Sequence, residues 1–127
     1  MLKLLLVSPD KMSLSGLASA LKEQDDVELS TAESGEKALA MVSENIFDLV
    51  VTDEKLNDMT GLALAERVVS LNPMINCVAV SSLPPEEFHA ASEGLGLMDQ
   101  LPVRPGAEDA EKLLQNLRHI KGALRSD

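Results

Sequence analysis

Aromatic side chains are almost missing from this chain of 127 residues: it has two Phe, no Tyr and no Trp. Base stacking and aromatic cages are therefore poor candidates for recognition. Basic charge is scarce as well, with 11 Lys and Arg against 21 Asp and Glu and a formal net charge of −10. A surface of that sign repels phosphate backbones and anionic lipid, so neither direct nucleic-acid binding nor membrane association is expected, and the excess acid serves solubility. The single cysteine, Cys77, excludes an internal disulfide and leaves no thiolate ligand set for a metal. Its apolar surroundings mark it as a small core residue. No apolar run is long enough to cross a bilayer, and residues 1–7 are too short for a signal peptide before Ser8-Pro9-Asp10. A cytoplasmic location is expected.

What the chain does contain is enough apolar material for one core: 45% hydrophobic and 25% charged residues, a globular balance. Its organising stretch is residues 46–61. Leu49-Val50-Val51-Thr52 is apolar or β-branched without alternation, as a strand buried on both faces should be. That strand runs into Asp53 and then into a polar loop closing at Gly61. In an open parallel sheet, ligands and chemistry sit just beyond the carboxyl ends of the strands, so Asp53 is the first functional candidate.

The remaining elements come in order along the chain. Lys3-Leu4-Leu5-Leu6-Val7 reads as a strand; Ser8 is then expected to cap a helix with Pro9 at its first position and Asp10 facing the dipole. That helix carries Leu14, Leu17, Ala18 and Leu21 on one face. Val27-Glu28-Leu29-Ser30-Thr31 alternates as a half-exposed strand. Ser34 caps a second helix burying Ala38, Leu39 and Val42, and a third from about Gly61 points Leu62, Ala65, Val68 and Val69 inward until Asn72-Pro73 stops it. Asn76-Cys77-Val78-Ala79-Val80-Ser81 is a fourth strand. Pro84-Pro85 opens a helix carrying Phe88, Ala91 and Leu95, with Gly94 and Gly96 at its exit. A fifth strand falls within residues 97–103, and Pro102, unable to donate to a ladder, assigns it to a sheet edge. A last helix from Glu108 aligns Ala110, Leu113, Leu114, Leu117, Ile120 and Leu124.

Five strands alternating with five helices through short connections predict a parallel sheet with right-handed crossovers and helices on both faces, an α/β domain. No repeat, linker or low-complexity tract divides residues 1–127, so one domain without an output domain is expected. A nucleotide-binding domain of flavodoxin type would need a phosphate-cradling loop, and the turn Ser8-Pro9-Asp10-Lys11 contains no glycine. His89 and His119 stand apart from any nucleophile and read as surface or helix-end residues.

The (βα)5 rhythm, Asp48-Leu49-Val50-Val51-Thr52-Asp53, Gly61 eight residues later, and Val103-Arg104-Pro105 together resemble the receiver domains of bacterial two-component response regulators. The resemblance spans nearly the whole chain and implies the flavodoxin-like strand order 2-1-3-4-5. It also implies that Asp53 stands at the phosphoacceptor position and that Ser81, or Ser82 if the register slips, contacts the phosphoryl group. Arg104 stands where the family has a Lys, and a cis peptide bond before Pro105 is expected from the family. Leu56-Asn57-Asp58-Met59-Thr60-Gly61 keeps the Met and Gly of the family pattern but not its Pro or last Asp.

Other positions depart further. The family acid pair after the first strand, which binds Mg²⁺, is replaced by Ser8 and Pro9, neither of them a carboxylate. Asp10 is a possible residual ligand, with Glu54 and Asp58 as solvated loop charges in the simpler reading. The aromatic switch residue is absent, its place falling on Leu101 or Gln100. For Arg104 two arrangements stand open: a direct or water-bridged pair with Asp53, or a solvent-facing guanidinium with Asp53 capping its own loop. These departures favour a divergent receiver acting as a protein-interaction module with impaired Mg²⁺-dependent phosphorylation. The alternative is a working receiver phosphorylated on Asp53 by a histidine kinase. Expected partners are a histidine kinase or another signalling protein, with a homodimer through the fourth helix, fifth strand and fifth helix also open. At most, self-catalysed phosphoryl acceptance is expected, not free-standing enzymatic turnover. The last helix carries Glu108, Asp109 and Glu111 early and Lys112, Arg118, Lys121 and Arg125 late, in keeping with its dipole.

Overall fold

Successive side chains of a five-stranded parallel sheet point to opposite faces and enter two separate helix layers. The computed structural model describes residues 1–124, with side chains described for 1–120. The elements are β1 (Leu2–Val7), α1 (Ser15–Lys22), β2 (Val27–Ala32), α2 (Gly35–Glu44), β3 (Leu49–Thr52), α3 (Gly61–Leu71), β4 (Asn76–Val80), α4 (Pro85–Ser92), β5 (Asp99–Leu101) and α5 (Ala107–Leu124). The sheet order is β2-β1-β3-β4-β5, the expected order, and every pair is parallel. β5 is an edge strand, as expected, but it ends at Leu101 and Pro102 stands just past it.

On one face Leu4, Leu6, Val51, Val78 and Val80 pack against Leu17 and Leu21 of α1 and Leu113, Leu114 and Leu117 of α5. On the other, Leu5, Val7, Val50 and Cys77 pack against Ala38 and Val42 of α2 and Leu64, Ala65 and Val68 of α3. All four residues of β3 are buried, because helices cover both of its faces. Burial also pushes the Cys77 thiol up to about 12, which keeps it a neutral core residue. Among the described residues no helix is long and apolar enough to cross a membrane.

Three local expectations are corrected. The helix expected at Pro9 starts only at Ser15, with Leu14 as an N-cap whose side chain makes no capping bond. The Ser8 hydroxyl is committed elsewhere, and Asp10 Oδ1 instead accepts the Met12 N–H at 2.9 Å, folding residues 10–12 into a turn. In α3 the buried stripe is Gly61, Leu64, Ala65 and Val68, so the fully buried Leu64 displaces Leu62 and Val69, which are only half-buried. In α4 only Phe88 is buried, while Ala91 is exposed. The expected cap at Ser34 and the stop at Asn72 are present: Ser34 Oγ accepts the Lys37 N–H, and α3 ends at Leu71. Arg118 binds Asp26 with both Nη2 (2.7 Å) and Nε (3.1 Å), tying α5 to the turn before β2 and holding the Asp26 carboxyl below its ordinary range. Arg125 lies outside the described residues, as do the side chains of Lys121 and Leu124.

Candidate functional site

β3 delivers Asp53 to the carboxyl edge of the sheet because the ladder to β1 continues one residue past the strand: the Asp53 N–H donates to the Val7 carbonyl at 2.8 Å. The half-buried Asp53 carboxylate is held twice. Its Oδ1 accepts the Glu54 N–H at 2.8 Å, and its Oδ2 lies 2.7 Å from Ser8 Oγ. The same Ser8 hydroxyl is 2.9 Å from the Asp10 carbonyl and accepts the Asp10 N–H at 3.1 Å, so its one proton is shared between two acceptors. Ser8 therefore serves Asp53, 45 residues away, and not a helix N-terminus.

The loop from Asp53 to α3 is tightly braced. Gly61 N–H donates to the Glu54 carbonyl at 3.0 Å, Leu56 N–H to the Met59 carbonyl at 2.9 Å, and Lys55 and Thr60 form an antiparallel bridge. A side chain at 61 would collide with the Asp53 carbonyl oxygen, which accounts for glycine there. The two acids expected to be solvated both have partners. Asp58 accepts the N–H groups of Gly35 and Glu36, each at 2.9 Å, and so caps α2 from another loop. Those two bonds, the Glu36 N–H foremost, hold its carboxyl below the ordinary range.

Glu54 reaches sideways to β4. Its Oε2 accepts the Ser82 N–H at 2.8 Å and lies 3.0 Å from Ser82 Oγ and 3.3 Å from Ser81 Oγ. The Ser82 N–H is the main reason its carboxyl is held below the ordinary range, opposed by partial burial. Ser81, buried, also accepts the Leu83 N–H at 3.1 Å. From β5, Gln100 Nε2 donates to the Leu83 carbonyl at 2.9 Å and reaches the Ser81 carbonyl at 3.4 Å. Gln100 faces Ala79 in the ladder and Leu101 faces Val80; Leu101 is the buried one. Sequence reasoning missed the contact of Glu54 with Ser81 and Ser82. Its signal was adjacency, since β3 and β4 are neighbours and these residues stand just past their ends.

Arg104 does not join the site. It is exposed, has φ +55°, and forms no ion pair or hydrogen bond among the described residues, so of the two arrangements left open the structure has the solvent-facing one, with Asp53 bonded to the Glu54 N–H of its own loop and, in addition, to Ser8. The expected cis bond before Pro105 is also corrected: no cis peptide occurs among the described residues. Arg104 turns the chain through the left-handed region, so Pro105 reaches its buried position through a trans bond.

A hard divalent cation at Asp53 would need several oxygen ligands, carboxylates foremost. Ser8 offers a neutral oxygen already bonded to Asp53, Pro9 offers no side-chain donor, and the Asp10 carboxylate is turned to Met12 N–H. Among the described residues no three His, Cys, Asp or Glu side chains stand together as a cation cage. The side chains present do not fit the cation.

A doubly wound parallel domain with a lone carboxylate at the end of its middle strand is of the flavodoxin-like receiver type. Comparison with known proteins gives the family: the model described as response regulator receiver domain matches residues 4–115. The chain belongs to that family and is a receiver domain of two-component signalling. It is similar to the transcriptional regulatory protein ZraR of Salmonella typhimurium, 30% identical over an alignment 127 positions long that covers 96% of this chain and 29% of that protein. The ZraR of Escherichia coli K12 is 30% identical over 101 residues, 80% of this chain and 23% of that one. The chain thus spans less than a third of the curated relatives it matches. Among solved structures, a receiver domain protein from Clostridium thermocellum superposes with a TM-score of 0.84 at 21% identity, covering 98% of this chain and 99% of that one. A CheY-like receiver from Methanospirillum hungatei gives 0.84 at 23%, covering 97% and 98%. At that identity they speak for the fold.

Proposed function

We propose that this receiver domain is a cytoplasmic protein-interaction module whose working surface does not depend on phosphorylating Asp53. The observation that carries this reading is the local chemistry of the carboxylate. Phosphoryl transfer brings two anions together and relies on cations for charge neutralisation and alignment. Asp53 instead meets a serine hydroxyl and a backbone N–H, and the exposed Arg104 makes no bond to it. The partner is a histidine kinase or another signalling protein that reads the shape of the domain. Pairing of two copies through α4, β5 and α5 is the competing assembly, and the molar mass in solution distinguishes the two.

The second reading, phosphoryl acceptance on Asp53 from a histidine kinase with self-catalysed transfer, draws on the position of Asp53 at the end of β3 and on Ser81 beyond β4. Beryllofluoride or acetyl phosphate with Mg²⁺, monitored by amide NMR, decides between them. No saturable shift around residues 53–61 and 81–84 is expected. A saturable shift that Asp53→Asn abolishes would overturn the proposal in favour of phosphorylation.

A further inference from the structure

The two edges of the sheet are built differently. β5 has three residues and Pro102 follows it, so it offers an incoming strand almost no ladder. β2 has six residues, pairs with β1 one residue for one without a bulge, and contains no Pro, Lys or Arg. Its ladder is bracketed by the Leu2 N–H on the Asp26 carbonyl and the Ser8 N–H on the Ala32 carbonyl, so Glu28, Ser30 and Ala32 direct their backbone groups to β1. Leu29 and Thr31, in between, turn their N–H and C=O groups to the open edge and find no hydrogen-bond partner there among the described residues. We propose that this edge is a docking strand for an extended segment of a partner protein in which apolar residues alternate with Lys or Arg. Backbone bonds to Leu29 and Thr31 would hold the segment, and its side chains would select it. The inference rests on the reading of the chain as an interaction module and names the surface that binds.

An added strand sends successive side chains to opposite faces of the sheet, and both faces are open beside β2. On the α1 face a cavity of about 430 Å³ has the buried Leu6 and Leu14 and the half-buried Ala18 in its lining and reaches Thr31. Its charged groups, Asp10 and Glu33 against Lys11 and Lys22, balance, so that side suits an apolar side chain. On the α2 face a smaller cavity of about 110 Å³ includes Glu28 and Ser30. Glu28 is paired there only with Lys3, at 3.9 Å and with both side chains exposed, a contact weak enough for an incoming cation to replace.

Charge selects the occupant. Residues 23–36 carry six acids, Glu23, Asp25, Asp26, Glu28, Glu33 and Glu36, and no Lys or Arg. Arg118 and Lys3 pair with Asp26 and Glu28, and the other four have no ion pair among the described residues. A second copy docking β2 on β2 would bring two such acidic edges together, whereas a basic segment meets them with opposite charge.

Amide NMR on the whole chain at low salt tests the edge with a synthetic peptide alternating Lys and Val. Two controls accompany it: the same peptide N-methylated throughout, which keeps its charge but has no N–H to pair, and its counterpart with Glu in place of Lys. The Leu29 and Thr31 amides should move downfield saturably and exchange about ten-fold slower or more once paired. Glu28 and Ser30, whose N–H groups already bond to β1, should change less, and neither control should shift Leu29 and Thr31 saturably. Reversing charge at two exposed positions, Glu28→Lys with Glu33→Lys, should weaken binding of the Lys and Val peptide about ten-fold. No saturable shift at Leu29 and Thr31, an equal response to either control, or an unchanged affinity in the double variant would each overturn the proposal. Protection of the same two amides that grows with protein concentration, without peptide, would overturn it in favour of a second copy. The titration contains no Mg²⁺ and no phosphoryl donor, so a failure here is distinct from a failure of the phosphorylation test.

Discussion

Helices α3 and α4 come after neighbouring strands at the middle of the same sheet, yet different physics holds them. α3 buries Gly61, Leu64, Ala65 and Val68 and has its first turn capped by Thr60, whose hydroxyl accepts the Ala63 N–H. α4 buries Phe88 alone, and that ring joins neither of the two apolar clusters. Apolar burial is non-directional and accumulates with area, so α3 is fixed by mass. The placement of α4 depends on directional bonds in the turn before it, from Glu54 on one side and Gln100 on the other. In a fold whose chemistry lies at the strand ends, the adjustable element is the one held by polar contacts.

The largest expected effect comes from breaking α3. Leu64→Ala should cost about 4 kcal/mol of global stability, read from urea unfolding, because Leu64 is fully buried among neighbours that cannot collapse onto the gap. Phe88→Ala should act differently: amide exchange within α4 accelerates while the amides of α3 keep their protection. Equal loss of protection in both helices would erase the contrast.

The next effect sharpens the polar half of the comparison. The Glu54 carboxyl is held below its ordinary range chiefly by the Ser82 N–H, so it binds fewer protons folded than unfolded over that window. Its stabilisation is then fully present above the unfolded value, near 4.5, and is lost as the pH falls through the lower folded value. The stability of wild type minus that of Glu54→Gln should be flat from neutral pH down to about 5 and shrink below it, from about 1–2 kcal/mol for the bonds involved. Taking the difference cancels Asp26 and Asp58, which shift in the same direction. A difference that grows on acidification would show that the carboxylate is not clamped.

The smallest effect concerns Arg104. Its φ of +55° places a side-chain-bearing residue where glycine is at ease. Relief of that strain is offset in part by the added freedom of an unfolded glycine, so Arg104→Gly should raise stability by less than about 1 kcal/mol in thermal unfolding. A loss above that size would assign the guanidinium a stabilising role.

Much of the scaffold was legible from local pattern. The unbroken apolar run of β3 announced a doubly covered strand, Pro102 announced an edge, and Ser34 announced a cap; all three are present. Local pattern misled where a distant partner competed. Ser8-Pro9-Asp10 carries the marks of a helix start, but Asp53 takes the serine hydroxyl and the helix begins at Ser15. The phase of α3 slipped because Leu62 and Leu64 are both apolar, and only packing against the sheet selects Leu64. Glu54 and Asp58 looked like loop charges, since their donors lie 27 or 28 and 22 or 23 residues away in sequence.

By itself, then, the sequence determined the order and kind of the elements, the parallel sheet and the carboxylate at the end of its third strand. Those features come from apolar periodicity, turn residues and proline, which act over a few neighbouring positions. Only the tertiary structure decided that Ser8 faces Asp53, that Arg104 is exposed without a bond to it, and that Glu54 closes on the serines beyond β4. A hydrogen bond needs its two atoms within about 3 Å and aligned, and only the assembled sheet brings residues so far apart in the chain to that distance.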